Sequence, residues 1–138
     1  MHMKKKIKYI LVVLVAMLCN LESFAYDIEE NGLLFDYIGY RTGYTYGEAH
    51  LVGYNNISEN LIVPTTVQYK KGIQRRNCEV TTIASGALKN SEIKSVSTYA
   101  DISSSAFENC TSLHSITIFG KFIASKAFCG CIALDSIY

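Results

Sequence analysis

The stretch that decides the fold is ISSSAFENCTSLHSI at residues 102–116, which is followed by IASKAFCGCIALDSI at 123–137. A weaker copy, IASGALKNSEIKSV, precedes both at residues 83–96. Equivalent alanines at 87, 106 and 127 are 19 and 21 residues apart. A repeat of about 20 residues is typical of solenoids, in which each unit buries its apolar face against its neighbours. The repeat therefore predicts a solenoid.

Each repeat contains the same predicted pieces. Residues 113–118 alternate so that Ile116 and Ile118 point inward from a short strand. A turn follows, and Ser125–Cys131 is expected to form one helical turn that buries Ala127, Phe128 and Cys131. The predicted fold class is a leucine-rich-repeat solenoid of short β-strands with one-turn helices, an α/β-type right-handed coil, preceded by a small antiparallel β cap.

The first 25 residues have the composition of a secretory signal peptide. Basic residues at 4–8 precede an apolar run from Tyr9 to Cys19 and the small-x-small ending Ser23-Phe24-Ala25. The run is shorter than the roughly 20 apolar residues of a spanning helix. We expect cleavage after Ala25. Lipid attachment at Cys19 and a retained anchor are the alternatives, and Leu18 disfavours lipidation because a small residue is needed there.

The predicted signal implies an exported protein, extracellular or on the cell surface, with the periplasm as a further possibility. Its contact with a membrane would be through the signal peptide before cleavage. Removal of residues 1–25 would leave nine basic and 11 acidic residues, a net formal charge of −2. This balance does not favour nucleic acid as a partner.

The rest of the chain is predicted to have two parts, an N-terminal β-hairpin cap at 26–60 and leucine-rich repeats at 61–138. About three repeats are expected, in an array open at its C-terminal end. In the cap, Asn31-Gly32 predicts a hairpin turn, and Leu33–Tyr40 and Glu48–Val52 predict strands. Such a cap would cover the exposed first edge of the solenoid.

A second hairpin is predicted with its tip at Lys70-Lys71-Gly72. With Arg75 and Arg76, these lysines form a basic cluster. We interpret the cluster as a solvated loop, and a site for an anionic partner is the alternative.

Four cysteines follow the predicted cleavage site: Cys78, Cys110, Cys129 and Cys131. Cys110 and Cys131 occupy the same place in successive repeats, which favours buried thiols packed in a ladder. Disulfides are the alternative that export would allow. Cys129-Gly130-Cys131 without a second ligand pair does not indicate zinc. The sequence predicts no metal site and no cofactor.

The segments SAFENCTSLHSITI (105–118) and KAFCGCIALDSI (126–137) resemble the BspA-type, or Treponema pallidum-like, leucine-rich repeat. Residues 61–69 and 80–87 resemble the usual first repeat of this family, and 26–54 its cap. The chain departs from the pattern at Leu88, where Phe is usual, and at Ser91, where Cys is usual. The family occurs on surface proteins of many Bacteroidetes. The resemblance implies adhesion to host matrix proteins or other bacteria, and so binding rather than catalysis.

The candidate binding face consists of the side chains that would point outward from the repeat strands. Hydroxyl groups beside aromatic rings suit a protein or glycan partner. The alternative is that small polar side chains simply fit a crowded sheet. The predicted site residues are Ser95, Ser97, Tyr99, Ser115, Thr117, Phe119, Ser136 and Tyr138.

The predicted function is a secreted or cell-surface binding and adhesion module. A non-binding structural N-terminal segment of a longer surface repeat protein is the alternative. An enzyme is not predicted: Cys110 and His114 could be considered a nucleophile and base, but their register places them on different sides of the strand. The sequence contains no Gly-x-Ser-x-Gly or His-x-x-x-His pattern.

Overall fold

A computed structural model describes residues 26–40, 43 and 45–138. The predicted signal peptide, with Cys19 and the cleavage site after Ala25, lies outside the described residues. Within them, no helix has the length and apolar character needed to cross a membrane.

The described residues form two β-sheets. The strands are β1 Ile28–Glu30, β2 Leu33–Tyr40, β3 Gly47–Tyr54, β4 Asn60–Ile62, β5 Thr66–Lys71, β6 Gln74–Ile83, β7 Ser95–Thr98, β8 Asp101–Ile102, β9 Ser115–Ile118 and β10 Ser136–Ile137. A mixed sheet of six strands has the order β1-β2-β3-β6-β5, with β8 also paired to β6, and a parallel sheet of four strands has the order β10-β9-β7-β4.

Both predicted hairpins are confirmed in the mixed sheet. Asn31 and Gly32 adopt positive φ angles of 52° and 78°, which suits the tight turn between β1 and β2. The second hairpin joins β5 to β6 through Gly72, whose φ is 60°. The turn chemistry of the sequence therefore determines these two local connections.

The parallel sheet is built from one short strand of each repeat. Val96 of β7 lies opposite Ile116 of β9, which lies opposite Ile137 of β10. Val96 and Ile116 are buried against the core, whereas the residues directly before and after each of them are partly exposed. Alternation along each strand therefore gives the sheet an apolar inner face and a polar outer face.

The predicted helix-containing solenoid is wrong, because no helix is present in the part of the chain that the structure describes. Ser125–Cys131 forms consecutive turns instead. Lys126 and Gly130 have φ angles of 61° and 79°, in the left-handed region. The equivalent residues of the two preceding repeats are also left-handed. A right-handed helix needs consecutive residues with negative φ, and a left-handed residue at every fourth position interrupts it.

Alternate backbone N–H groups of these turns bond to the next repeat, and those between them bond within the turn to the carbonyl three residues earlier. The Phe107 N–H donates to the Ala127 carbonyl at 2.9 Å, and the Asn109 N–H donates to the Cys129 carbonyl at 2.8 Å. Each N–H used in this way is withdrawn from the i→i−4 bonds that define an α-helix. The turns thus form a lateral ladder that runs in the same direction as the parallel sheet.

The prediction of a separate antiparallel cap is also wrong, because its strands belong to a sheet that includes later strands. Strand β3 pairs in parallel with β6, with Ala49 opposite Val80, so residues on both sides of position 60 share one sheet. A parallel pair requires a long crossover connection, which local turn signals in the sequence do not reveal. The division of the chain at residue 60 stays a prediction.

One apolar core lies beneath both sheets. Its largest side chains include Phe35 and Phe107, which are fully buried, and Phe107 stacks on Phe128 with ring centroids 5.3 Å apart. The repeated alanines, Ala87, Ala106 and Ala127, are all buried. They sit where the turns of successive repeats are joined by backbone hydrogen bonds.

Replacing Ala106 with Leu should therefore destabilise the fold by about 1–3 kcal/mol, because the extra atoms would overpack a site closed on both sides by neighbouring repeats. Chemical unfolding would measure the loss. Ala133→Leu is the matched control, since Ala133 is only half-buried. Equal effects of the two changes would contradict this account of the alanine column.

Candidate functional site

The predicted site residues lie on the outer side of the parallel sheet and at the ends of its strands. The serines and Thr117 are half-buried, and the three aromatic residues are exposed. Ser115 of β9 lies between Ser95 of β7 and Ser136 of β10, forming one row of hydroxyl groups. The structure thus brings these three serines together.

A second row lies two residues further along. Ser97 is opposite Thr117. Tyr138 extends this row, since the Ile118 N–H donates to its carbonyl at 2.8 Å and its own N–H donates to the Ile116 carbonyl at 2.9 Å. Both rows therefore cross the repeats at right angles to the strands.

Two further residues on β4 belong to this face and were missed by sequence reasoning. Asn60 lies opposite Ser95, whose hydroxyl donates to the Asn60 Oδ1 at 2.7 Å, and Ile62 lies exposed opposite Ser97. The available signal was the alternation of these two residues with Leu61 and Val63, both of which are buried.

A third row consists of two stacked aromatic rings. The centroids of Tyr99 and Phe119 are 4.4 Å apart, with an angle of 18° between the ring planes. Tyr99 is 61% exposed and Phe119 is 53% exposed. Because the rings stack on one another, each keeps one face free of its partner, and the two free faces point in opposite directions. We call this pair of rings the aromatic platform.

This platform borders a cleft of about 300 Å³, which we call the seam cleft because residues of the mixed sheet and of the loops that follow β7 and β9 line it. It lies beyond the carboxyl ends of β7 and β9, next to β6 of the mixed sheet. Its lining residues are Thr65, Glu79, Val80, Thr81, Tyr99, Asp101, Phe119, Gly120 and Lys121.

Two close contacts hold together the loops of the seam cleft, which follow β7 and β9. The Oδ1 of Asp101 accepts hydrogen bonds from the N–H groups of Lys121 and Phe122, at 2.8 and 2.9 Å. A Cβ atom on Gly120 would lie 2.4 Å from the carbonyl oxygen of Ala100, so the loops approach more closely than any other residue would allow. The aromatic platform is therefore mounted on fixed loops.

Some polar side chains of the seam cleft already have hydrogen-bond partners in the protein, and others have none within the described residues. One oxygen of the Asp101 carboxylate accepts the two loop N–H groups, and the Thr81 hydroxyl donates to the Glu48 Oε1 at 2.7 Å. Glu79 and Lys121 are exposed, and neither side chain has an ion pair or hydrogen bond within the described residues. Glu79 and Lys121 therefore offer a carboxylate and an ammonium group that a ligand could contact.

A larger cleft of about 580 Å³ lies between the edge strands β1 and β5. Its acidic side chains already bind the protein: Asp27 Oδ2 accepts from the Tyr37 N–H at 2.9 Å, and Glu29 accepts from the Tyr26 hydroxyl at 3.3 Å. This cleft contains none of the predicted site residues. We therefore place the candidate site at the outer face and the seam cleft.

The basic cluster predicted at the second hairpin is divided between two environments. Lys70, Lys71 and Arg75 are exposed, while the Arg76 guanidinium lies 4.3 Å from the centroid of the Tyr40 ring, a cation–π contact. The cluster is thus not one continuous basic surface.

The thiols of the repeats act as hydrogen-bond donors to the backbone. Cys110 Sγ lies 3.0 Å from the Leu88 carbonyl oxygen, and Cys131 Sγ lies 2.9 Å from that of Phe107. All four described cysteines are free, with Cys110 fully buried and Cys131 half-buried. The prediction that these two are equivalent free thiols is confirmed, and the prediction that they are buried is confirmed for Cys110 alone.

The pairing of Cys110 with His114 as nucleophile and base is not found. His114 is exposed, and its Nδ1 lies 2.6 Å from the Ser112 carbonyl oxygen. No group of His, Cys, Asp and Glu among residues 26–40, 43 and 45–138 is arranged to hold a metal ion.

Changing Gly120 to Ala should disturb the seam cleft, because the new methyl group would collide with the Ala100 backbone and push the two loops apart. We expect a stability loss of about 1–3 kcal/mol and shifted side-chain resonances for Tyr99 and Phe119. Gly53→Ala is the control, since its Cβ would meet Leu34 at an ordinary 3.5 Å. Unchanged Tyr99 resonances in the Gly120 variant would contradict the conclusion that the contact of Gly120 with Ala100 fixes the position of the rings.

Alkylation by iodoacetamide should reach Cys129 before Cys131 or Cys78, because Cys129 is exposed and burial raises the pKa of the other two thiols. The rates at Cys131 and Cys78 should rise only above the pKa of about 8.5 of a free cysteine. Peptide mass spectrometry resolves each site.

Denatured protein provides the control for alkylation, in which the rates at Cys129, Cys131 and Cys78 should converge. Equal alkylation rates in the folded protein near neutral pH would refute the assignment of burial.

The raised pKa of the Cys131 thiol also affects the stability of the fold. The contribution of the protonated thiol is complete below the unfolded-state pKa and is lost as the pH rises through the folded-state pKa.

A solved structure with this fold is a leucine-rich cell surface protein from Faecalibacterium prausnitzii A2-165, at a TM-score of 0.62 and 24% sequence identity. The likeness covers 79% of this chain and 29% of the other, so this chain spans under a third of the length of that protein. No protein-family model and no curated protein sequence matches the chain. At this identity the likeness establishes a shared fold with a leucine-rich protein.

Proposed function

We propose that this chain is an exported, cell-surface repeat protein of the BspA kind whose outer sheet face binds a protein or glycan partner. The observation that carries the proposal is the exposed stack of Tyr99 and Phe119 beside two rows of hydroxyl groups. The fold shared with a leucine-rich cell surface protein supports the location and the repeat character.

The physical basis of binding is the combination of large rigid rings with small polar groups. Aromatic side chains lose little conformational entropy on binding and bury much apolar area, so they dominate recognition surfaces. Serine and threonine hydroxyls donate and accept hydrogen bonds, and thus adapt to a polar partner. The β4 residues Asn60 and Ile62 widen this surface by one strand.

Binding is favoured over catalysis by the placement of the reactive groups. The Cys110 thiol is buried and donates to a backbone carbonyl, and His114 is exposed without a thiol or hydroxyl partner within the described residues. We therefore propose that the protein has no enzymatic activity. Nucleic acid is not a proposed partner.

A structural role in a longer surface repeat protein is the second candidate. It is favoured by β10, the edge strand of the parallel sheet, in which Ile137 is 58% exposed although its equivalent Ile116 is fully buried. An apolar surface of this kind is suited to packing against another apolar surface.

Tyr99→Ala and Phe119→Ala should each weaken capture of the partner while leaving the thermal midpoint nearly unchanged, because both rings are more than half exposed. The measurement is binding of the full chain to immobilised matrix proteins and to glycan arrays. Tyr46→Ala, an equally exposed aromatic in another region, provides the control. Capture that survives both cleft variants would contradict a binding role for this face, and failure of the parent chain to capture anything would favour the structural candidate.

A further inference from the structure

We infer that the seam cleft is a saccharide-binding site, with Tyr99 and Phe119 as its stacking platform and Glu79 and Lys121 as its polar contacts. This inference rests on the proposed binding function and narrows the partner to a neutral glycan. The cleft volume of about 300 Å³ lies at the lower end of the range for small-molecule pockets, which suits a short saccharide.

The aromatic platform matches the apolar face of a sugar ring. A pyranose presents a face of C–H groups that packs against an aromatic ring, and its hydroxyls project around the rim. Phe119 and Tyr99 each keep one ring face that the other does not cover, and both rings border the cleft. These two faces point in opposite directions, so a sugar would stack on one of them, with its hydroxyls toward the polar lining.

The polar groups of the cleft match the rim of hydroxyls. Each sugar hydroxyl both donates and accepts, so it needs acceptors and donors within one small space. The Glu79 carboxylate supplies acceptors and the Lys121 ammonium supplies donors, and neither has a partner within the described part of the chain. Hydrogen bonds to charged groups are stronger than those between neutral groups. With Asp101, the lining holds two carboxylates and one ammonium group, a balance that does not favour an anionic ligand.

The composition of the cleft distinguishes a saccharide from a protein partner. The centre of a protein interface is depleted in Lys, Glu, Asp and Ser. The seam cleft instead combines its rings with Glu79, Asp101 and Lys121. A protein side chain placed on the platform would have to strip water from these charged groups without pairing them all, at a considerable cost.

Preorganisation further supports a small, rigid ligand. Asp101 fixes the loop of Lys121 and Phe122, and the close approach of Gly120 to Ala100 fixes the two loops together. A site held in this way loses little entropy when it binds.

The neighbouring hydroxyl row gives the site a direction. Ser97 and Thr117 precede Tyr99 and Phe119 by two residues, so their side chains lie on the same outer face as the platform. A saccharide of several units that enters the cleft would extend over this row toward Ser95 and Ser115.

The test uses the full chain and a panel of neutral hexasaccharides of glucose, mannose, xylose and N-acetylglucosamine. Saturation-transfer NMR would detect contact with sugar C–H groups, and calorimetry would give affinities. We expect at least one hexasaccharide to bind, with about tenfold weaker binding after Phe119→Ala, Tyr99→Ala or Glu79→Gln. Tyr46→Ala should leave the affinity unchanged, because Tyr46 lies outside the seam cleft.

The outcomes separate this inference from the broader proposal. If a matrix protein is captured through Tyr99 and Phe119 while no hexasaccharide binds, the saccharide inference is overturned and the binding function stands. Saccharide binding that is insensitive to all three cleft variants also overturns it. If neither proteins nor saccharides bind, both proposals fail. Circular dichroism of each variant would show that the fold is retained.

Discussion

Lateral backbone hydrogen bonds between successive turns are the constraint on which the rest of the repeat region depends. The Leu88 N–H donates to the Ala106 carbonyl and the Phe107 N–H to the Ala127 carbonyl, both at 2.9 Å. Since a buried N–H must be paired and has one hydrogen to give, this choice replaces a helix with a ladder. It also leaves room only for a methyl group between turns, and the thiols of Cys110 and Cys131 complete the pairing of neighbouring carbonyls.

The same spacing determines the geometry of the candidate site. Parallel strands in exact register place equivalent side chains side by side, which is why Tyr99 and Phe119 stack at 4.4 Å instead of pointing apart. The platform is therefore a product of the repeat, whereas Glu79 and Thr81 of the seam cleft come from β6 of the mixed sheet. The candidate site therefore lies where the repeats meet the mixed sheet.

How far the sequence predicts this structure depends on whether the signal is local. Alternation predicted the strands and which of their residues face outward, and Asn31-Gly32 predicted a turn. The left-handed conformation of Lys126 could not be predicted, because lysine has no preference for it and only the ladder imposes it. Glu79 was not recognised as a site residue, since the parallel pairing of β8 with β6 brings it to the same cleft as Tyr99 from a distant part of the chain.

The parallel pairing of β3 with β6 also imposes an order of events on folding. A chain that emerges from its amino end produces β2 and β3 as a local hairpin, but one edge of β3 finds its partner only after residues 74–83 have followed. Closing that loop costs entropy before the contact repays it, so the amino-terminal strands are completed late and together with the first repeat. One edge of β3 thus stays unpaired until the hairpin of β5 and β6 has formed.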